Sequence, residues 1–115
     1  MTSIARIALP LGLLLTAACG SSEVPAQQLA KSAAAVRAAQ EVGAADDPQA
    51  ALYLKMARDR VQQARTLSRE GEQEQAKRVL DQAEADAELA VVLTRERQAE
   101  TRANQATQQL QSLQQ

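Results

Sequence analysis

Breakers of regular structure constrain this chain most, because beyond residue 25 they occur only at Gly43, Pro48 and Gly71. The segments between them are rich in alanine and glutamine, which both form helices readily. Asp47 before Pro48 is a strong helix start, since an aspartate caps free amides and proline suits the first helical position. Gly71 is a natural stop, since glycine adopts the left-handed conformation that ends many helices. The sequence therefore predicts an all-α fold.

These helix-breaking residues divide the chain into three predicted helices. The first follows a serine cap at residues 21–22, has Pro25 in its first turn and ends near Val42. The second runs from Pro48 to Glu70. The third has acidic residues in its first turn, where they favour the positive end of the helix dipole, and it meets no breaker before the C-terminus. We expect a short three-helix arrangement with a long C-terminal helix.

Small and apolar residues recur at alternating spacings of three and four on one face of the last two helices. In the second helix they are Leu54, Ala57, Val61, Ala64 and Ser68, and in the third they are Ala76, Leu80, Ala83, Ala87, Ala90 and Thr94. Alanine lets two backbones approach closely, and a single glycine turn folds the helices back on each other. Residues 48–93 are therefore predicted to form an antiparallel hairpin. The second helix is net basic and the third is net acidic up to residue 93, so ion pairs can form between them. Each exposed ion pair contributes only about 0–1 kcal/mol, so these pairs select the register of the hairpin more than they stabilise it.

Residues 94–115 form a glutamine-rich extension that the second helix is too short to cover. An apolar stripe continues along it at a shifted phase, at Ala99, Ala103, Ala106, Leu110 and Leu113. The extension is either a frayed polar spacer or a seam for another helix, from a second copy of the chain or from an envelope protein. Tyr53, the sole aromatic residue, is a further candidate for partner contact, although packing against the first helix is preferred.

The chain lacks the groups that most nucleophilic and zinc sites use, since it has no histidine and one cysteine. Its net charge of −1 and the lack of a basic stripe with aromatic residues argue against nucleic acid as a partner. Helix capping explains the two aspartates at residues 46–47 better than a cation site does. Pairing with the basic second helix, or solvation, explains the acidic face at Asp81, Glu84 and Glu88 better than a metal does. We expect no enzyme activity, metal, cofactor or small-molecule substrate.

The N-terminal segment has the order of a secretory signal: a positive region at 1–6, an apolar run at 7–15 and small residues at 16–18. The stretch LLLTAACGSS resembles the lipobox of bacterial lipoproteins. In that family Cys19 would become the first residue of the mature chain and would carry a covalent lipid. The alternative is an ordinary secretory peptide that leaves an unpaired cysteine. Residues 20–21 lack the aspartate that commonly signals inner-membrane retention, so the resemblance implies the periplasmic face of the outer membrane.

The lipobox, the alanine-rich first helix, the stretch DDPQAALYLKMARDRVQQA, the Gly71 turn and the striped third helix together resemble the small envelope lipoproteins of domain of unknown function 4398 (DUF4398). The resemblance covers roughly residues 19–100 and brings no catalytic residues with it. It implies a non-enzymatic, lipid-anchored protein with a structural role at the outer membrane. The alternative is a small helical adaptor that binds a protein of an envelope machine. The predicted division is a signal peptide at 1–18, an anchor, linker and first helix at 19–47, the hairpin at 48–93 and the extension at 94–115.

Overall fold

The computed structural model describes residues 26–114, and in that part of the chain all regular structure is helical. The α-helices in chain order are α1 (Ala26–Glu41), α2 (Pro48–Arg69) and α3 (Gln73–Leu113). A single 3-10 turn, Ala44–Asp46, lies between α1 and α2. The predicted all-α fold, with three helices and a long C-terminal one, is confirmed. The predicted signal peptide and Cys19 lie outside the described residues.

Both connections between helices use glycine where the backbone turns left-handed. Gly43 follows α1 with φ 89°, and Gly71 follows α2 with φ 87°. Asp47 begins α2 as predicted, since its Oδ1 accepts hydrogen bonds from the backbone amides of Gln49 (3.0 Å) and Ala50 (2.8 Å). The 3-10 turn between Gly43 and Asp47 was not predicted, because a run of three residues has no periodicity to read.

α2 and α3 form the predicted antiparallel hairpin. Gln73 donates from Nε2 to the carbonyl oxygen of Ser68 (2.9 Å) across the turn, while farther along Arg60 forms an ion pair with Asp86. The residue numbers of the partners thus run in opposite directions along the two helices. All six predicted seam residues of α3 are buried, and in α2 Ala50 joins the buried face while Ser68 is only half-buried.

α1 lies parallel to α3 and covers a second side of it. Near the start of α1, Gln28 donates from Nε2 to Asp81 Oδ1 (2.8 Å), and at its end the Val42 carbonyl accepts from Gln98 Nε2 (3.0 Å). The Ser32 hydroxyl is buried and lies 3.2 Å from the carbonyl oxygen of Leu80, where a larger side chain would separate the two helices. α1 and α2 thus enclose one face of α3 between them.

The core consists mainly of alanine. Leu54 of α2 and Leu80 of α3 are the largest fully buried apolar side chains among the described residues. Burying one leucine stabilises a fold by about 1.5–3 kcal/mol, so much of the stability depends on these two positions. The buried face of α3 ends at Thr94, whose hydroxyl donates to the carbonyl oxygen of Ala90 (2.8 Å).

Candidate functional site

α3 continues as a helix well beyond the helices that cover it. Every residue from Arg95 to Gln114 is exposed, yet α3 is helical through Leu113. Its last hydrogen bonds to the rest of the fold are made by Arg97, to Asp47 (3.3 Å), and by Gln98, to the Val42 carbonyl. We call α1, α2 and α3 up to residue 98 the three-helix body, and residues 99–113 the bare segment. The extension is therefore helical in the structure and not frayed.

The five stripe residues predicted to contact a partner are all exposed and share one face of α3. Leu110 is 62% exposed and Leu113 is 83% exposed. At about 3.6 residues per turn this face points away from the buried face that α1 and α2 cover. The stripe is thus not a phase-shifted continuation of the hairpin seam, as the sequence suggested. It is a second stripe on the opposite side of the helix.

This second stripe begins within the three-helix body, earlier than the sequence analysis placed it. The spacing of four and three residues holds throughout, and we call the set the outer stripe: Ala85, Leu89, Val92, Glu96, Ala99, Ala103, Ala106, Leu110 and Leu113. All nine positions are exposed. The first three apolar members were missed because they overlap in sequence with the buried seam. The alternating spacing, traced backwards from Ala99, would have found them.

Charged residues flank the outer stripe with opposite signs on its two sides. By helical geometry, Arg95 and Arg102 lie along one side of the stripe, and Glu88 lies on the same side about two turns earlier. Glu100 lies along the other side, and Glu96 belongs to the stripe itself. Glu100 forms an intrahelical ion pair with Arg97 (3.5 Å). Among residues 26–114, Arg95, Glu96 and Arg102 form no ion pair. Between residues 95 and 102 the stripe therefore has a basic flank and an acidic flank.

Tyr53 lies apart from the outer stripe. It belongs to α2, is half-buried and packs against the edge of the alanine core. A side chain that already packs within the fold presents less surface to a partner than Leu110 or Leu113 does. The structure therefore does not bring Tyr53 together with the other predicted contact residues.

The acidic residues considered as cation ligands are engaged in the packing of the fold. Glu84 forms an ion pair with Lys31 of α1 (2.7 Å), and this hydrogen bond and charge raise the pKa of the Lys31 ammonium. Asp81 accepts from Gln28 of the same helix. Asp81 and Glu84 thus contact α1 and not the basic second helix, which corrects that part of the prediction, whereas Glu88 is exposed and forms no ion pair among residues 26–114, as the solvation alternative expected. In the described part of the chain, no three His, Cys, Asp or Glu residues are grouped to hold a metal ion.

Asp47 is the acidic residue with the most contacts in the connection between α1 and α2. It is buried, and hydrogen bonds from the amide of Ala50, then from Arg97 and the amide of Gln49, lower the pKa of its carboxyl against the opposing effect of burial. Its neighbour Asp46 is exposed. The two aspartates therefore act differently, and Asp47 serves as helix cap and as an anchor for α3.

The family model described as Domain of unknown function (DUF4398) matches residues 27–106 of the chain. The chain belongs to this family. The DUF4398 match includes α1 except for Ala26, all of α2 and α3 as far as Ala106, so it contains nearly all of the three-helix body and about half of the bare segment. No curated protein and no solved structure is significantly similar to the chain.

The chemistry that this DUF4398 chain offers in its described residues is that of a surface for contact. None of the helices between residues 26 and 114 is long and apolar enough to cross a membrane. The outer stripe is fully exposed, with mainly apolar side chains along its centre and charged side chains on its flanks. Such a helix face can pack against another helix.

Proposed function

We propose that the protein is a non-enzymatic, lipid-anchored envelope protein with a structural role at the periplasmic face of the outer membrane. In this proposal Cys19 carries the lipid, the three-helix body stands close to the membrane and the bare segment extends away from it. The observation that best supports this arrangement is the parallel packing of α1 on α3.

The direction of the helices follows from that packing. α1 begins at Ala26, a short distance along the chain from Cys19, so its first turn would lie near an anchored membrane. The Gly71 turn lies at the same end, since Gln28 contacts Asp81 in the early part of α3. The C-terminal end of α3 then lies at the far end. At about 1.5 Å per residue, α3 would reach roughly 60 Å from its first residue.

The inventory of reactive groups supports a non-enzymatic role. The chain has no histidine, and its one cysteine is the residue to which the proposal assigns the lipid. Asp47, Asp81 and Glu84 are engaged in capping and helix packing. A general base or nucleophile is therefore hard to find among these side chains.

A Cys19→Ala variant of the full chain tests the anchor directly. The wild-type chain should fractionate with the outer membrane, and its intact mass should show cleavage before Cys19 and an added lipid. The variant should remain unprocessed or become soluble. Ser22→Ala is the matched control and should behave as the wild type does. Identical mass and fractionation of Cys19→Ala and wild type would refute the proposal.

A second candidate function, that of a small adaptor for a protein of an envelope machine, is favoured by the exposed leucines of the bare segment. A photoreactive amino acid at Leu110 would distinguish the two functions in intact cells. A stoichiometric adduct with a different protein supports the adaptor. Adducts confined to the chain itself support the structural role.

A further inference from the structure

We propose that the outer stripe pairs two copies of this chain, side by side, parallel and in register. The inference goes beyond the proposed function and holds whether or not Cys19 carries a lipid, because it depends only on residues 85–113. It names the occupant of the stripe as a second copy of α3.

The first step is the spacing of the stripe. Alternating steps of four and three residues are the repeat by which two helices coil around each other with apolar residues at the contact. The stripe runs through the body and the bare segment without a break in this spacing. Neither α1 nor α2 covers it. An isolated helix is marginal in water, so the bare segment lacks a stabilising contact that a second helix would provide.

The second step is the charge on the two flanks, which selects both the partner and the orientation. Two parallel copies place the acidic flank of one helix against the basic flank of the other, on both sides of the contact. Arg95 then lies opposite Glu100 of the second copy. Residues with this separation, on opposite flanks of two parallel helices, are the ones that form ion pairs across the contact. Antiparallel copies would instead bring like flanks together, so Arg95 and Glu100 would no longer face each other.

The third step concerns Glu96, the one charged member of the stripe. In a parallel pair in register it faces Glu96 of the second copy, and Arg95 of each copy lies beside the two carboxylates. A single polar residue in such a seam lowers stability and fixes the register, because a shifted register would place Glu96 against apolar stripe residues without compensation. Beyond Arg102 the described part of α3 has no charged residue, so Leu110 and Leu113 can close the far end of the contact.

Single cysteines in the full chain, purified in mild detergent, test the register. Ala103→Cys places a thiol in the outer stripe, where the same residue of the second copy faces it in a parallel pair. Gln108→Cys is the control, since it is exposed little more than one turn farther along α3, on the face opposite the stripe. The wild-type chain, whose one cysteine is Cys19, gives the background.

Under oxidation, Ala103→Cys should form a disulfide-linked dimer several times more efficiently than Gln108→Cys. Equal yields from the two variants would overturn the proposal. Adducts of the Ala103→Cys chain with another protein in cell envelopes, without chain dimers, would also overturn it and would support the adaptor.

Charge reversal tests the flanks. Arg95→Glu with Arg102→Glu makes both flanks acidic, and Glu96→Arg with Glu100→Arg makes both basic. Each double variant alone should associate at least about tenfold more weakly than the wild type in sedimentation equilibrium, since like charges meet across the contact. A mixture of the two variants should restore association as a mixed pair.

A matched control separates flank charge from net charge. Arg37→Glu with Arg65→Glu lowers the net charge as much as the arginine variant of the flank does, at exposed positions on α1 and α2. This control should associate as the wild type does and, like both flank variants, keep the wild-type circular dichroism spectrum. A monomeric wild type, or flank variants that behave as the control does, would overturn the proposal.

Discussion

Arg97 of α3 donates from Nε to Oδ2 of Asp47 at 3.3 Å, and this ion pair fastens α3 to the connection between α1 and α2 at the point where α3 leaves the body. The same carboxylate accepts from the amides of Gln49 and Ala50 through its other oxygen. One buried side chain therefore begins α2 and holds α3. Loss of Asp47 should affect both helices.

Asp47→Ala should lower the melting temperature of the full chain by several degrees, because α2 loses its cap and Arg97 loses its partner. Asp47→Asn should lose less, since the amide oxygen still accepts from the backbone of α2. Asp46→Ala is the matched control, and its melting temperature should stay close to that of the wild type because Asp46 is exposed. Equal effects at the two aspartates in thermal melts would contradict this assignment.

Stability should also fall in acid because of the lowered pKa of the Asp47 carboxyl. A carboxyl with a lower pKa in the folded state stabilises the fold above its unfolded pKa, here 3.8. That contribution is lost as the pH falls through the folded pKa. In urea titrations, the stability advantage of the wild type over Asp47→Asn should be constant above about pH 5 and shrink below about pH 4. An advantage that grows on acidification would show that the carboxylate does not act in this way.

Two leucines on α2 allow a matched test of the core. Leu54→Ala removes a side chain that is 1% exposed, whereas Leu52→Ala removes one that is 55% exposed. The first should lower the free energy of unfolding by about 2–5 kcal/mol, enough to unfold much of a small body. The second should change it by less than about 0.5 kcal/mol. Chemical denaturation followed by circular dichroism measures both. Similar losses would mean that α2 packs through a different face.

The sequence predicts well those elements in which a residue type has only one plausible structural role at its position. Gly43 and Gly71 are the points where the backbone must turn left-handed, and Asp47 before Pro48 has the chemistry of a helix start. The buried seam of α3 was equally clear, because alanine and leucine recur there at helical spacing. These signals are local, so they do not depend on how the helices finally pack.

The features that the sequence did not predict depend on packing between distant residues. Lys31 and Glu84 are far apart in the chain, and the pairing of the acidic face with α1 becomes visible only when α1 lies parallel to α3. Likewise, Leu89 and Val92 lie between members of the buried seam in sequence. Their place in the outer stripe is clear only once the covered face of α3 is known.

The central claim is that the bare segment is held helical by a second copy of the chain. Hydrogen exchange of the backbone amides of residues 99–113 in the full-length protein tests it most directly, at a low and a high protein concentration. The account predicts that protection in this segment rises with concentration, while protection of buried positions such as Leu80 and Ala83 stays unchanged. Fast exchange of the bare segment at both concentrations, beside a protected body, would contradict it.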